Sequence, residues 1–263
     1  MSERTLFVGD IHAKSDLAMQ RACHLARITA ADRMVFLGDY MDDWNISNKR
    51  QIEAYDALVR WTRQLPCESV YLLGNHDIPY VVGRTQCREL RDAGLCPGFR
   101  PGAYRHIHES VMAELCPKVA WSDGKVLATH AGVTRQWLDA HGHGEDTPDE
   151  IASLLNLFIL GAFRLPSLMC DVGPARGGAE NAVPSPLWTD AGELMAFGDR
   201  RYPQVVGHTP MPTVRSSGSL FFCDTMSATP DGEPIGDGSM LLMEADGDER
   251  TFRAVNSPME WRP

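Results

Sequence analysis

No stretch of this sequence is apolar for long enough to cross a bilayer. The longest such run, Ile151 to Phe163, is broken by Ser153 and Asn156, whereas a span needs about 20 apolar residues. The opening MSERTLFVGD lacks the basic, long apolar and small-residue sections of a secretory signal. No lysine- or arginine-rich run occurs, and the formal charge is -10. Strong nonspecific binding to nucleic acid, which depends on neutralising phosphates with basic side chains, is therefore not expected. A phosphate substrate stays open, because bound dications would invert the charge locally. The seven cysteines stand at irregular spacings with no CxxC pair, so they outline neither a disulfide framework nor a cysteine-ligated zinc site. Reduced thiols in a cytoplasmic protein are the expectation. Internal repeats and low-complexity tails are also lacking.

What the chain does have is a repeated short pattern. Thr5–Val8 leads into Gly9-Asp10, Met34–Leu37 into Gly38-Asp39, and Val70–Leu73 into Gly74-Asn75-His76. Val126–Ala128 leads to His130, and Gln204–Val206 to Gly207-His208. A few β-prone residues followed by glycine read as a buried strand entering a turn. Ser15 is placed to cap a helix through about Ile28, and a second helix is expected from about Lys49 to Gln64, before Pro66. This β–α alternation predicts an α/β fold with polar residues at the carboxyl ends of strands, where such sheets carry their sites. Leu220–Cys223, Met240–Met243 and Thr251–Val255 read as short strands of a second sheet packed on the first. One domain over residues 1–263 is expected, with irregular insertions near 78–118 and 141–187 and a helix at about 149–165 within the latter.

Asp10 and His12, two apart in an extended segment, share a face. With Asp39, Asn75, His130 and His208 they offer carboxylate, amide and imidazole donors, a mixture suited to borderline divalent ions such as manganese, iron, zinc, cobalt or nickel. An all-oxygen calcium site would not recruit three histidines.

The blocks GDIH (9–12), GDYMD (38–42), GNHD (74–77), THAG (129–132) and GHTP (207–210) resemble, in order, those of the calcineurin-like metallophosphoesterases. With LWTD (187–190) and the single-histidine GHT, they look most like the branch of phosphoprotein phosphatases and symmetrical diadenosine-tetraphosphate hydrolases. The resemblance implies a four-layer αββα sandwich of two mixed sheets flanked by helices. It implies two divalent ions, manganese first among them. One would be bound by Asp10, His12 and Asp39, the other by Asp39, Asn75, His130 and His208, with Asp39 bridging. A metal-bridging hydroxide would attack phosphorus, with His76 as general acid and Asp42 orienting it. The substrate would be a phosphorylated small molecule, a phosphoprotein or, alternatively, a nucleotide or dinucleoside polyphosphate. A catalytically weak, metal-binding regulatory protein is the alternative of another class. Pro210, where many phosphodiesterase and nuclease relatives carry a second histidine, speaks against nuclease activity. The chain departs from its branch at Asp43, where an arginine normally grips the phosphate. Arg176, in ARGG, is the expected substitute, since a guanidinium beside paired glycines suits an anion.

The remaining candidates read more plainly. His106, His108, His141 and His143 are expected in solvated loops, and His24 is expected to be structural. Trp188 is expected to pack near the site, Asp77 to form a turn, and the 149–165 helix to pack in the core.

Overall fold

Successive residues of strand β1 (Glu3–Val8) face opposite ways, and the chain buries both sides. Phe7 enters an apolar layer with Val35, Leu72, Trp121, Val205 and Leu241. Leu6 and Val8 instead meet Met19, Leu25, Phe36 and Leu58. The computed structural model describes residues 2–96, 98–142, 146–160, 171–258 and 261–262. Its elements run β1, α1 (Ser15–Thr29), β2 (Arg33–Phe36), α2 (Asn48–Thr62), β3 (Glu68–Tyr71), then short helices α3 (Ile78–Val81), α4 (Arg84–Asp92), α5 (Tyr104–His108) and α6 (Val111–Leu115). There follow β4 (Ala120–Ser122), β5 (Leu127–Thr129), α7 (Arg135–His141), α8 (Pro148–Asn156), α9 (Ala191–Phe197), β6 (Gln204–Val206), β7 (Arg215–Ser217), β8 (Leu220–Phe222), β9 (Met240–Asp246) and β10 (Glu249–Val255).

Two five-stranded sheets result, ordered β10-β9-β1-β2-β3 and β4-β5-β6-β8-β7. Both are mixed. β1, β2 and β3 pair in parallel with β9 and β10 antiparallel at one side, while β5, β6 and β8 are parallel between antiparallel β4 and β7. Phe7 and its neighbours fill the space between the sheets. α1 and α2 cover the outer face of the first sheet, and Trp137, Leu138, Ile151 and Leu155 of α7 and α8 cover that of the second. The expected α/β sandwich is therefore present. Each fully buried Leu, Val or Phe in these layers contributes about 1.5–3 kcal/mol, which is what allows the connecting turns to be strained.

Three local expectations differ. β9 and β10 do not form a second sheet but extend the first, because Met240–Met243 are buried on both faces and register against β1. Ser15 does not cap α1. The cap position is Lys14, whose side chain makes no capping bond, and just before it Ala13 N–H donates to the Tyr40 carbonyl at 2.9 Å. The 78–118 segment is largely helical rather than irregular. Of the 149–165 helix, α8 and a 3₁₀ turn (Leu157–Leu160) are described; residues 161–165 lie outside the described residues, as does His143. Cys23, Cys67, Cys87, Cys116 and Cys223 are free thiols. No described helix is long and apolar enough to cross a membrane.

Candidate metal centre

The five strand ends, four of them marked by glycine, meet at one place. Asp10 and His12 follow β1, Asp39 and Asp42 follow β2, Asn75 and His76 follow β3, His130 follows β5 and His208 follows β6. The backbone there is bent hard. His12, Asp39, Asp42 and His208 have φ of 43°, 52°, 62° and 66°, a region that side chains other than glycine enter at a cost. Two glycines are required by closeness: a Cβ on Gly74 would lie 2.1 Å from Asp39 Oδ1, and one on Gly207 2.1 Å from Asp10 Oδ1.

Side chains tie these turns together. Asp39 Oδ1 accepts the His76 amide at 2.9 Å, and both Asp10 oxygens accept the His208 amide at 3.0 Å. Asp77 does more than end a turn. Its Oδ2 accepts the amides of Asp39 (2.7 Å) and Gly74 (2.8 Å), and its Oδ1 those of Tyr40 (2.9 Å) and Met41 (3.1 Å). Burial and the nearby Asp39 charge push this carboxyl up to about 7. An Asp77→Asn chain places an NH2 group against backbone donors. It is expected to lose about 3 kcal/mol of stability in urea unfolding of the metal-loaded protein, the scale of a buried group left unpaired. A loss below about 1 kcal/mol would mean that the turns stand without it.

The donor atoms converge. His130 Nδ1 donates to the Leu37 carbonyl at 2.8 Å, an assignment that leaves Nε2 as a lone pair. That Nε2 lies 2.9 Å from Asn75 Oδ1, 3.1 Å from His208 Nδ1 and 3.4 Å from Asp39 Oδ2, while His208 Nδ1 and Asn75 Oδ1 are 3.0 Å apart. Donors about 2.1 Å from a shared centre have edges of about 3.0–3.4 Å, so this spacing fits a divalent ion of the first transition row. On the other side of Asp39, His12 Nε2 faces Asp39 Oδ2 at 3.9 Å and Asp10 Oδ2 at 4.0 Å. In the two groups, Asp39–His130–His208 and Asp10–His12–Asp39, the ligand atoms lie within 4.8 Å of one another, and Asp39 belongs to both. His208 enters this group through Nδ1; its other ring nitrogen, Nε2, is buried without a hydrogen-bond partner.

Electrostatics agree with a cation site. Asp10, Asp39, Asp77 and Asp224 are each at most 2% exposed, and so many buried carboxylates are costly without positive charge among them. Burial and the neighbouring Asp224 hold Asp10 well above the usual carboxylate range. Burial also raises Asp39, but His130 and His76 outweigh it and hold it well below. Burial brings His12 down to about 4, and burial with His130 and Arg176 keeps His208 well below its ordinary value, so both rings are neutral donors. His130 is the exception: burial lowers it, yet Asp39 and Asp10 bring it up to about 9. A cation arriving there must displace a proton.

Beside the donors sits His76, whose Nδ1 is 3.3 Å from Asp42 Oδ2 and whose side chain is 25% exposed, against 0% for His130. Burial lowers it, but Asp39 and then Asp42 raise it to about 9, so it carries a proton near neutrality. Asp43 forms an ion pair with Lys14 Nζ at 3.0 Å. Arg176 reaches the His208 turn, donating to the His208 carbonyl (3.3 Å) and Thr209 Oγ1 (3.0 Å), but its Nε is committed to Asp190 at 3.1 Å. Trp188 sets its ring against His208, centroids 6.0 Å apart. Three other described histidines have partners elsewhere: His106 pairs with Asp56, His108 bonds the Tyr80 carbonyl, and His141 packs on Trp137. Asp224 and Arg100 carried no sequence signal. Asp224 accepts from Ser227 Oγ at 2.7 Å beside Asp10, and Arg100 Nε donates to the Ile46 carbonyl at 2.8 Å. Only the pairing of distant turns exposes them.

The sequence model of the calcineurin-like phosphoesterases matches residues 3–232. Among solved structures, a cold-active protein tyrosine phosphatase aligns with TM-score 0.53 and 16% identity, over 95% of this chain and 78% of that one. The cold-active protein-tyrosine phosphatase of a psychrophile, Shewanella sp., aligns with TM-score 0.50 and 17% identity, over 95% and 80%. These likenesses concern the fold. Among curated proteins, none matches the chain.

Proposed function

Since the chain belongs to the calcineurin-like phosphoesterase family, whose members are metal-dependent hydrolases of phosphoesters, we propose that it cleaves phosphate monoesters, in the manner of a serine/threonine phosphoprotein phosphatase. The observation that carries this reading is the shared Asp39 between two donor groups, with the His76–Asp42 pair at their open side. Asp10, His12 and Asp39 would hold one divalent ion; Asp39, Asn75, His130 and His208 would hold a second. Two such ions supply Lewis acidity toward phosphoryl oxygens and lower the pKa of a water nucleophile. Nitrogen and oxygen donors without thiolate suit manganese, with iron, zinc, cobalt and nickel as competitors.

The chain's own groups do the rest. His76 holds a proton at a solvent-facing ring, ready for the oxygen that leaves phosphorus. Asp42 keeps that ring oriented and charged. Arg176 borders the His208 turn and is the candidate phosphate grip. Lys14 neutralises Asp43, so the carboxylate standing where this branch has arginine does not repel an anionic substrate. Pro210, after the lone histidine of the last turn, favours monoesters over diesters.

Protein stripped by chelation is expected to lose at least about 99% of its p-nitrophenyl phosphatase activity and to regain it with manganese. Full activity after verified metal removal would end the metal reading. Phosphopeptides, bis-p-nitrophenyl phosphate and dinucleoside polyphosphates, offered to the manganese-loaded protein, sort the substrates. Cleavage of the bis ester alone would overturn the monoester reading, and cleavage of polyphosphates alone would favour a nucleotide hydrolase. Metal binding without turnover on any of them would point to a regulatory protein.

A further inference from the structure

Asp42 is an awkward residue to keep in place. Its backbone is left-handed and its carboxylate is 2% exposed, yet only one oxygen, Oδ2, faces His76. A carboxylate held at one oxygen can still turn about its Cβ–Cγ bond, and each turn moves the histidine it supports. The other oxygen is not left free. Tyr80 Oη donates to Asp42 Oδ1 at 2.7 Å and accepts the Arg100 amide at 3.0 Å. The Asp42 amide donates to Gln51 Oε1 at 2.7 Å, and Gly98 lies so close that a Cβ there would be 2.8 Å from Asp42 Cβ. Tyr80 itself is fully buried, its ring tilted against Phe99 with centroids 5.1 Å apart. Tyr80, Gly98, Phe99 and Arg100 all come from the helical segment between β3 and β4.

We infer that Tyr80 is a positioning residue for leaving-group protonation: its hydroxyl locks the Asp42 carboxylate, which in turn fixes the ring of His76. The inference rests on the proposed role of His76. Hydrolysis passes the phosphoryl group to water. As the P–O bond to the leaving group breaks, its electron pair goes to the departing oxygen, which takes the proton of His76, and the neutral ring regains a proton from solvent. Arg100, through its backbone amide, orients the Tyr80 oxygen so that its proton points to Asp42. A phenylalanine at 80 fills the same space but lets the carboxylate turn.

The test is leaving-group dependence in the manganese-loaded protein, using p-nitrophenyl, phenyl and benzyl phosphate. Proton donation matters little for p-nitrophenolate, which departs unaided, and much for the basic benzyl alkoxide. Tyr80→Phe is expected to lower kcat for benzyl phosphate about tenfold, leave p-nitrophenyl phosphate within about twofold, and leave both KM values unchanged. Because both rates come from one sample, their ratio is independent of the folded fraction. Equal losses on all three esters, or no loss on any, would overturn the inference. His76→Asn is measured in parallel, and the double variant is expected to lose no more than His76→Asn alone. A selective loss in His76→Asn but not in Tyr80→Phe removes only the role of Tyr80. An unselective His76→Asn removes the acid assignment, and the role of Tyr80 with it.

Discussion

Asp39→Asn is expected to lower kcat by at least about 10³ and to reduce bound metal from two ions per chain to one or fewer, read by elemental analysis of the purified protein. The substitution is nearly isosteric. It keeps Oδ1 to accept the His76 amide, so the β3 turn should hold. What changes is Oδ2, the atom 3.4 Å from His130 Nε2 and 3.9 Å from His12 Nε2. An NH2 group there carries no charge and points hydrogens at the ring nitrogens that must offer lone pairs. Because Asp10, Asp77 and Asp224 remain buried nearby, removing one negative charge eases their mutual repulsion, and circular dichroism should show a folded protein. Unchanged metal stoichiometry would defeat the bridging role.

His76→Asn should behave differently. It is expected to retain both ions and to lose about 10²–10³ in kcat on benzyl phosphate, the range of positioned proton donors. The His76 amide still meets Asp39 Oδ1, so the metal frame is untouched, and Asn75 keeps its place beside His130 and His208. The missing imidazolium also leaves Asp42 without its cation, but Tyr80 and Gln51 still hold that residue. Rates equal to the parent on every ester would remove His76 from the mechanism. Metal loss and activity loss thus separate the two residues: Asp39 is read through both, His76 through turnover alone.

How much of this was legible beforehand follows from the range over which each residue acts. A strand running into a polar donor, usually through glycine, is a local pattern that marks Asp10, His12, Asp39, Asn75, His130 and His208, and the folded chain brings all six to one place. The family follows from the same blocks, matched over residues 3–232. The sheet assignment of β9 was not local. Its four consecutive buried residues fit either sheet, and only its register against β1 decides. Asp77 reads locally as a turn former because its four amide donors come from two separate turns. Asp43 reads as an obstacle in the sequence because Lys14, which neutralises it, stands 29 residues earlier. Arg176 offers a guanidinium, but Asp190 already holds part of it, a pairing that 14 residues of separation conceal.

The place of β1 bears on how the chain comes to be made. Its two neighbours are β2, which follows it by one helix, and β9, which registers Leu241–Ala245 against Glu3–Phe7. A chain growing from its amino end can therefore shield one edge of β1 early but must leave the other edge bare until β9 has emerged. Such an unpaired, apolar strand edge is prone to wrong partners. The turn that carries Asp10 and His12 hangs from that strand. Its framework is complete only once β9 has paired with β1, so a stable site at this turn is expected to wait for that late pairing.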